Sequence, residues 1–520
     1  MARGNQASCR GAPVEPLRVL GSLRPSFEPT GGDLSAPTDP LPRSLTLWYA
    51  LGALPGGIAA TASIFLVFFY NQVLGVPGTL VGGVFLAIAF FDAVSDPVVG
   101  VLSDRTRSRL GRRHPYLVWA TLPAAICGLA VWLPPSGLST PGLTGWLLGA
   151  LLVARVFDTL LAVPYVALGA ELTKDYVERT RLTTLRAVAW TAGRSGSGAL
   201  ILLVFLRATP EYPNGQMNPA GYPQFAWMAA LATLVAMWGC AWGTRRSIPE
   251  LSRPIPPQGD RGPLVSVFHE MRDVLALRDF RAVFGATVSQ QIAWGIADAL
   301  GLYMATFFWD VGPMGLFVWG IGMFTGLFVG YPIWHRLAAR FDKRSLYIAG
   351  TAIYLVFFSA PYLFKVAGLF PSDPELSFAL YVLTTGFVAH LGTAGPGILQ
   401  PSMLGDVTDV DELACGRRRE GVIFAAETFG WKALRGFGAL AAGLIVDIVG
   451  LAPGVTPETV DPSVSAKLGL AQGLSMALFI AAALWFIRGF GIDRARHERV
   501  RAELDARTHS HSARRGPGTP

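Results

Sequence analysis

Residues 80–113 read LVGGVFLAIAFFDAVSDPVVGVLSDRTRSRLGRR. Residues 80–103 are mainly apolar, and five arginines follow between positions 105 and 113. An α-helix rises about 1.5 Å per residue, so about 20 apolar residues cross the ~30 Å of hydrocarbon in a bilayer. Arginines collect at the cytoplasmic ends of such helices. The stretch therefore predicts a membrane-spanning helix whose C-terminal end faces the cytoplasm.

The composition of the whole chain agrees with this prediction. Of its 520 residues, 52% are hydrophobic and only 15% are charged, whereas soluble proteins carry about 25% charged residues. The composition therefore argues against an ordinary soluble enzyme. Apolar stretches long enough to span a bilayer recur twelve times and predict an all-α membrane protein with twelve transmembrane helices. They lie at 46–74, 80–103, 115–134, 143–171, 183–206, 223–243, 281–309, 314–335, 345–366, 376–404, 420–450 and 467–489.

The distribution of lysine and arginine predicts the orientation. The breaks after even-numbered stretches are rich in both residues, and the breaks after odd-numbered stretches are almost free of them, Arg207 being the main exception. The even-side breaks and both termini are therefore expected in the cytoplasm. The net charge of +8 follows from this topology and indicates no nucleic-acid partner. We expect a multi-pass protein of the plasma membrane.

The domain organisation follows from the breaks. We expect a disordered cytoplasmic tail at 1–43, a six-helix half at 44–243, a central cytoplasmic loop at 244–280, a second six-helix half at 281–489 and a basic cytoplasmic tail at 490–520. A weak repeat supports two halves, since GVLSDRTRSRLGRR at 100–113 and GYPIWHRLAARFDKR at 330–344 occupy equivalent places. Two parallel six-helix halves form the major facilitator architecture.

Charged residues within the predicted spans indicate function, because each costs ~2.5–3.5 kcal/mol at a helix centre. Asp92 and Asp96 are four residues apart and share one helix face. Two carboxylates at this depth suit a small hard cation such as Na⁺ or H⁺. The alternative is a structural pair that an arginine or lysine elsewhere in the bundle neutralises.

Three further residues are candidates for this cation site. Arg155 and Asp158 are three residues apart and can neutralise each other, and the hydroxyl of Thr159 can join a cation shell or bond to its own helix. Lys432 is near the middle of its span, and we expect it to reach a carboxylate of the second span; a snorkelling lysine is the alternative.

A polar face in the seventh span is a candidate substrate surface. Gln290, Trp294 and Asp298 recur every four residues, and an aromatic ring beside hydrogen-bonding groups is suited to sugars and other polyols. Hydrogen bonding between helices around a core tryptophan explains the same pattern equally well. His390 in the tenth span has the same two interpretations.

Three blocks of sequence resemble the glycoside–pentoside–hexuronide:cation symporters, the melibiose-permease branch of the major facilitator superfamily. They are DAVSDPVVGVLSDRTRSRLGRRHPYL at 92–117, VPYVALGAELTKDYVERTRLTTLR at 163–186 and GDVTDVDELACGRRREGVIFAAETFGWKALRGFG at 405–438. The resemblance implies that Asp92, Asp96 and Thr159 bind the cation. It also implies that Lys432 and Arg186 couple cation occupancy to the cavity, with Asp158 as a further charge partner.

The sugar-binding residues of that family are not matched. The two aspartates that grip the sugar in melibiose permease align with Gly57 and Ala162 here. A galactoside is therefore not expected, although Asp158 lies one turn from Ala162. The VPYVAL segment at 163–168 is similar to the family's lysophospholipid carriers, so an amphipathic substrate is a second interpretation.

Together these observations predict a secondary transporter coupled to Na⁺ or H⁺, with a sugar or glycoside preferred over a lysolipid. A membrane sensor or scaffold is a weaker alternative, and no enzyme is expected because no catalytic motif is present. We expect no cofactor, no metal other than Na⁺ and a monomeric protein in the bilayer. A cytoplasmic gate is predicted from Asp104, Arg105, Arg109, Arg112 and Arg113.

Overall fold

The N-terminal half consists of long helices joined by short turns. The computed structural model describes residues 41–173, 175–250, 274–416 and 419–514, apart from some side chains, among them that of Lys432. The helices of this half are α1 (Arg43–Leu51), α2 (Leu54–Phe68), α3 (Gly78–Arg105), α4 (His114–Trp119), α5 (Thr121–Ala130), α6 (Thr140–Leu172), α7 (Tyr176–Leu200) and α8 (Gly221–Thr244).

The C-terminal half repeats this all-helical architecture, and the described residues contain no β-strand. Its helices are α9 (Arg278–Tyr303), α10 (Pro313–Ala338), α11 (Lys343–Val366), α12 (Pro374–Tyr381), α13 (Ala389–Cys415), α14 (Glu420–Val449) and α15 (Pro462–Ile487), and α16 (Arg494–Arg514) follows them. π-helical segments extend four helices and lie at Phe69–Val73, Ile201–Phe205, Met304–Phe308 and Val382–Val388.

Nine helical segments of the described chain are long and apolar enough to cross a membrane. The predicted number of twelve therefore stays a prediction. The three predicted spans outside this set have evident reasons. The third span is divided into α4 and α5 around Ala120, and α9 carries polar and charged residues that lower its hydropathy. Several side chains in the first part of α14 lie outside the described residues, and its described apolar stretch, Gly436–Val449, is too short to span a bilayer by itself.

The described contacts between the two halves concentrate at the end of the bundle predicted to face outside. Tyr303 of α9 donates a hydrogen bond of 2.9 Å to Oδ1 of Asn71, and its ring packs against Phe68. Gly82 of α3 lies directly against the backbone of α14 at Ala439. Large aromatic side chains fill the core around these contacts. The outer end is therefore closed.

Helices α2 and α7 cross at two glycines, Gly57 and Gly193. This crossing explains why position 57 does not carry the sugar-binding aspartate with which it aligns in melibiose permease. A Cβ at Gly57 would lie 2.1 Å from the carbonyl oxygen of Trp190, and a Cβ at Gly193 would lie 2.4 Å from that of Leu54. Both neighbours are backbone atoms and cannot move aside without separating the helices. An aspartate at position 57 is therefore incompatible with this packing.

We expect Gly57→Ala to lower the free energy of unfolding by about 1–3 kcal/mol, because an added methyl overpacks the crossing. Gly83→Ala is the matched control, since a Cβ at Gly83 has no atom within 4 Å. Thermal unfolding of both variants in detergent checks the prediction. Equal melting temperatures for the two variants would contradict the close crossing.

Candidate functional site

A cluster of opposite charges connects α3 and α6 within the N-terminal half. Nε of Arg155 lies 3.8 Å from Oδ2 of Asp92, and its Nη1 lies 4.0 Å from Oδ2 of Asp158. The expected proximity of Arg155 and Asp158 is thus seen, but the same guanidinium also reaches Asp92. Sequence reasoning did not pair Arg155 with Asp92, because Asp158 offered a partner on the same helix.

The other predicted cation ligands lie on the same two helices. Asp96 follows Asp92 by one turn of α3 and is half-buried, and Thr159 is buried one turn after Arg155. The predicted partner Lys432 belongs to α14, but its side chain lies outside the described residues. The structure therefore brings Asp92 and Asp158 together around Arg155 and leaves the contribution of Lys432 a prediction.

These charged side chains are partly exposed although they belong to the middle of long apolar helices. The side chain of Asp92 is 21% exposed and that of Asp158 is 42% exposed. Charges that face hydrocarbon are strongly unfavourable, and charges within spans face a bundle interior or an aqueous cavity. The exposure of the cluster therefore favours a polar cavity beside α3 and α6.

A further ion pair, separate from the cluster on α3 and α6, joins the N-terminal half to the C-terminal half. Nη2 of Arg194 on α7 lies 3.9 Å from Oδ1 of Asp298 on α9, and both side chains are about a quarter exposed. The Arg194 guanidinium also lies 5.8 Å from the Trp190 ring, and the Thr61 hydroxyl donates to the Arg194 carbonyl at 2.8 Å. Sequence analysis noted Asp298 but assigned no partner, because more than a hundred residues separate the two.

The rest of the predicted substrate surface is engaged within the C-terminal half. Gln290 is buried and accepts a hydrogen bond of 2.9 Å from the Tyr347 hydroxyl, while its Nε2 lies 3.4 Å from Oγ1 of Thr351. Trp294 packs against the outer core and lies beside Tyr354. Hydrogen bonding between helices, which was the alternative interpretation of the polar face, therefore accounts for Gln290. Of the three predicted substrate residues, Asp298 makes a described ion pair with the other half.

Arg186 and His390 lie apart from the acidic pair. Arg186 lies beside the hydroxyl of Tyr49, and no described ion pair joins it to α3. Nδ1 of His390 donates to the carbonyl of Gly386 at 2.8 Å, and its ring packs edge-on against Trp319. These contacts place His390 in a hydrogen-bonded aromatic core.

Three of the five predicted gate residues form a compact ion-pair cluster at the inner end of α3. Arg113 pairs with Asp104, and its Nε lies 2.7 Å from Oε1 of Glu171. Nη2 of Arg112 lies 2.9 Å from the same oxygen. Sequence analysis missed Glu171, which comes at the end of α6. Two members of the predicted set are exposed and make no described ion pair: Arg105 and Arg109.

An aspartate of α14 caps a helix of the opposite half at the outer end. Oδ1 of Asp447 accepts a hydrogen bond of 2.8 Å from the N–H of Gly78, and its Oδ2 accepts one of 2.7 Å from the N–H of Thr79. Gly78 begins α3, where free N–H groups and the helix dipole favour a carboxylate. Sequence analysis missed this contact because an aspartate near a span end is typical of any membrane interface.

Comparison with known proteins agrees with this architecture. A symporter of Synechocystis sp., sll1374, whose role is uncharacterized, is 27% identical over 88% of this chain and 96% of its own length. An Escherichia coli protein provisionally named glycoside/cation symporter YagG is 26% identical over 81% of this chain and 86% of its own length. The xylose transporter XylE of E. coli, solved in an inward open conformation, matches this chain with a TM-score of 0.57 at 14% identity, over 88% of this chain and 99% of that chain.

The family assignment rests on most of the chain. The family model described as MFS/sugar transport protein matches residues 48–494. This match, with the symporter relatives, confirms the resemblance stated from the three sequence blocks and the major facilitator fold. The family consists of membrane transporters and not of enzymes. The chain is a multi-pass membrane transporter that belongs to the MFS/sugar transport protein family.

Proposed function

We propose that the protein is a symporter that uses a gradient of Na⁺ or H⁺ to take up a sugar or glycoside. The observation that carries this proposal is the partly exposed cluster of Asp92, Arg155 and Asp158 within apolar helices. Such charges are retained in spans when they bind an ion or a substrate. Asp96 and Thr159, on the same two helices, complete the proposed cation site.

Arg155 gives this site a way to stay neutral without a cation. Its guanidinium lies at the limit of salt-bridge distance from both carboxylates, so a cation that binds to Asp92 competes with it. Lys432 and Arg186 are proposed to act as further charge partners that couple occupancy to the cavity. The proposal requires that binding of the cation changes the contacts of Arg155.

The closed outer end supports alternating access as the transport mechanism. Asp447, Tyr303 and Gly82 hold the halves together at that end, so the cavity beside Arg155 is proposed to open toward the cytoplasm in this conformation. The salt-bridge cluster of Asp104, Arg112, Arg113 and Glu171 is proposed as part of the cytoplasmic gate.

The substrate class is proposed from the charged cavity and from the relatives. Hydroxyl groups of a sugar can hydrogen-bond to Asp158, Arg194 and Asp298, which are all partly exposed. The name of the E. coli relative points to a glycoside in that protein. Gly57 excludes the galactoside-type aspartate on α2. No described contact favours the lysolipid alternative or a non-transporting sensor.

The sidedness of the protein completes the proposal. We place the protein in the plasma membrane as a monomer with both termini in the cytoplasm. The orientation is supported by the sequence, in which the arginine-rich breaks follow even-numbered spans, since arginines collect on the cytoplasmic side. Residues 1–40 of the expected tail and residues 251–273 of the expected central loop lie outside the described residues.

The proposed function is tested by uptake into proteoliposomes. A panel of radiolabelled sugars and glycosides is offered with an inward Na⁺ gradient, an inward H⁺ gradient or no gradient. We expect concentrative uptake of at least one compound with one of the gradients, abolished by the matching ionophore. Equal uptake with and without gradients would instead indicate a uniporter.

Asp447→Ala is expected to shift the population toward an outward-open conformation by roughly a factor of 5–30, since a lost helix cap costs about 1–2 kcal/mol. Spin labels at Ser136 and Ser372, on exposed turns of the two halves at the outer end, report the shift as longer distances. Asp461→Ala is the control, because Asp461 caps α15 of its own half. Distances that match those of the control would contradict the role of Asp447.

A further inference from the structure

A pocket outside the transport cavity lies at the inner end of the C-terminal half. It has a volume of about 370 Å³ and is lined by the first residues of α9, the start of α11, the segment that follows α15 and the beginning of α16. Its charged lining consists of four arginines from these elements and one carboxylate: Arg278, Arg344, Arg488, Arg496 and Asp279.

The single carboxylate of the pocket is already engaged. Oδ1 of Asp279 accepts a hydrogen bond of 2.7 Å from the N–H of Gly491, and its Oδ2 lies 3.3 Å from Nη1 of Arg496. Among the residues that the structure describes, no carboxylate forms an ion pair with Arg278, Arg344 or Arg488. Three arginines therefore line one pocket without an ion-pair partner among the side chains that the structure describes.

The chemistry of the pocket selects a phosphate group. Guanidinium groups bind phosphate oxygens through two parallel hydrogen bonds, and a phosphate has enough oxygens to accept hydrogen bonds from several of them at once. Arg278 is the first residue of α9 and Arg344 the second of α11, so the positive ends of two helix dipoles add to the same field.

The surroundings of the pocket indicate where the phosphate comes from. Trp485 lies one turn before Arg488 on α15 and is 66% exposed, and Phe341 precedes α11 and is 55% exposed. Exposed aromatic side chains at the ends of spanning helices lie at the level of lipid headgroups. Basic pockets between transmembrane helices on the cytoplasmic side bind anionic headgroups.

We propose that Arg278, Arg344 and Arg488 form a binding site for the phosphate of an anionic phospholipid headgroup. The lipid would connect α9, α11 and α15 at their inner ends. It would also adjoin Arg496 and so hold α16, whose Arg501 pairs with Asp409 of α13 at 3.1 Å. The site goes beyond the proposed transport function, because none of its residues belongs to the charge cluster on α3 and α6.

The test measures thermal unfolding of the full-length protein in a neutral detergent during titration with phosphatidylglycerol. Phosphatidylcholine and inorganic phosphate are titrated in parallel. The test variant is R278Q/R344Q/R488Q, and the control is R246Q/R336Q/R340Q, which removes three exposed arginines outside the pocket. Circular dichroism and gel filtration verify that both variants fold, and single R344Q and R488Q variants replace the triple variant if it does not.

We expect phosphatidylglycerol to raise the melting temperature of the wild-type and control proteins. In the test variant the half-saturating concentration should rise about a hundredfold, roughly a factor of five for each arginine removed. An unchanged titration in the test variant would overturn the proposal. An equal rise in melting temperature with inorganic phosphate at the same concentration would show that the site binds phosphate and does not require a lipid. An equal rise with phosphatidylcholine would show that the site does not select an anionic headgroup.

Discussion

Asp92→Asn and Asp96→Asn are each expected to reduce cation-driven uptake by about a hundredfold or more while leaving the protein folded. The amide keeps the shape of the carboxylate but removes the charge that a cation needs, and hydrogen bonds to charged groups are worth about 1.5–3 kcal/mol each. A hundredfold loss corresponds to about 2.8 kcal/mol. The measurement is the initial rate of uptake into proteoliposomes, normalised to reconstituted protein.

The same variants distinguish a functional acidic pair from a structural one. If Asp92 serves the cation, its neutralisation removes a charge that costs ~2.5–3.5 kcal/mol at membrane depth, and Arg155 keeps Asp158 as a partner at 4.0 Å. The melting temperature should then stay the same or rise. If the pair is structural, the loss leaves an uncompensated charge, which destabilises by about 3–5 kcal/mol.

Binding measurements complete this test. Na⁺, or a lower pH, should raise the melting temperature of the wild-type protein, because a ligand that binds only the folded state stabilises it. Asp92→Asn should abolish that rise, and the exposed loop variant Glu211→Gln should retain it. Normal uptake and normal stabilisation in both aspartate variants would exclude the proposed site.

The sequence was sufficient to predict the fold class and the place of the acidic pair. The length of an apolar stretch, the position of arginines and the helical period are local features of the sequence, which do not depend on how the helices pack. They were therefore sufficient to predict helix α3 with Asp92 and Asp96 on one face. The contacts of Arg155 depend on where α6 lies relative to α3. The sequence offered Asp158 three residues away and gave no reason to prefer Asp92 as a second partner.

Contacts between distant segments were beyond prediction for the same reason. Asp447 caps Gly78, which is more than 350 positions away, and Glu171 meets Arg113 only because α6 returns to the inner end of α3. Gly57 appeared as a missing aspartate in the sequence. In the structure it is a point of backbone contact with Trp190, which gives a physical reason for the substitution.

Arg194→Gln and Asp298→Asn are each expected to lower the rate of uptake at least tenfold. The two side chains belong to opposite halves and lie 3.9 Å apart in this conformation. The proposed alternating access would move the halves and change this distance, so we expect the pair to contribute to the relative energies of the two conformations. Either single variant leaves one charge at membrane depth without this partner, which is unfavourable.

A double-mutant cycle separates this coupling from two independent losses. If the charges act as a pair, R194Q/D298N should be impaired less than the product of the single effects, by roughly tenfold or about 1.4 kcal/mol. The charge swap R194D/D298R should recover part of the activity. Glu178 and Arg181, a half-buried pair within α7 at 3.3 Å, belong to one half only, serve as the control and should show no coupling between the halves. If the loss of activity in the double variant equals the product of the two single losses, Arg194 and Asp298 act separately. In a coupled pair, the first substitution already removes the interaction, so the second substitution reduces activity by a smaller factor.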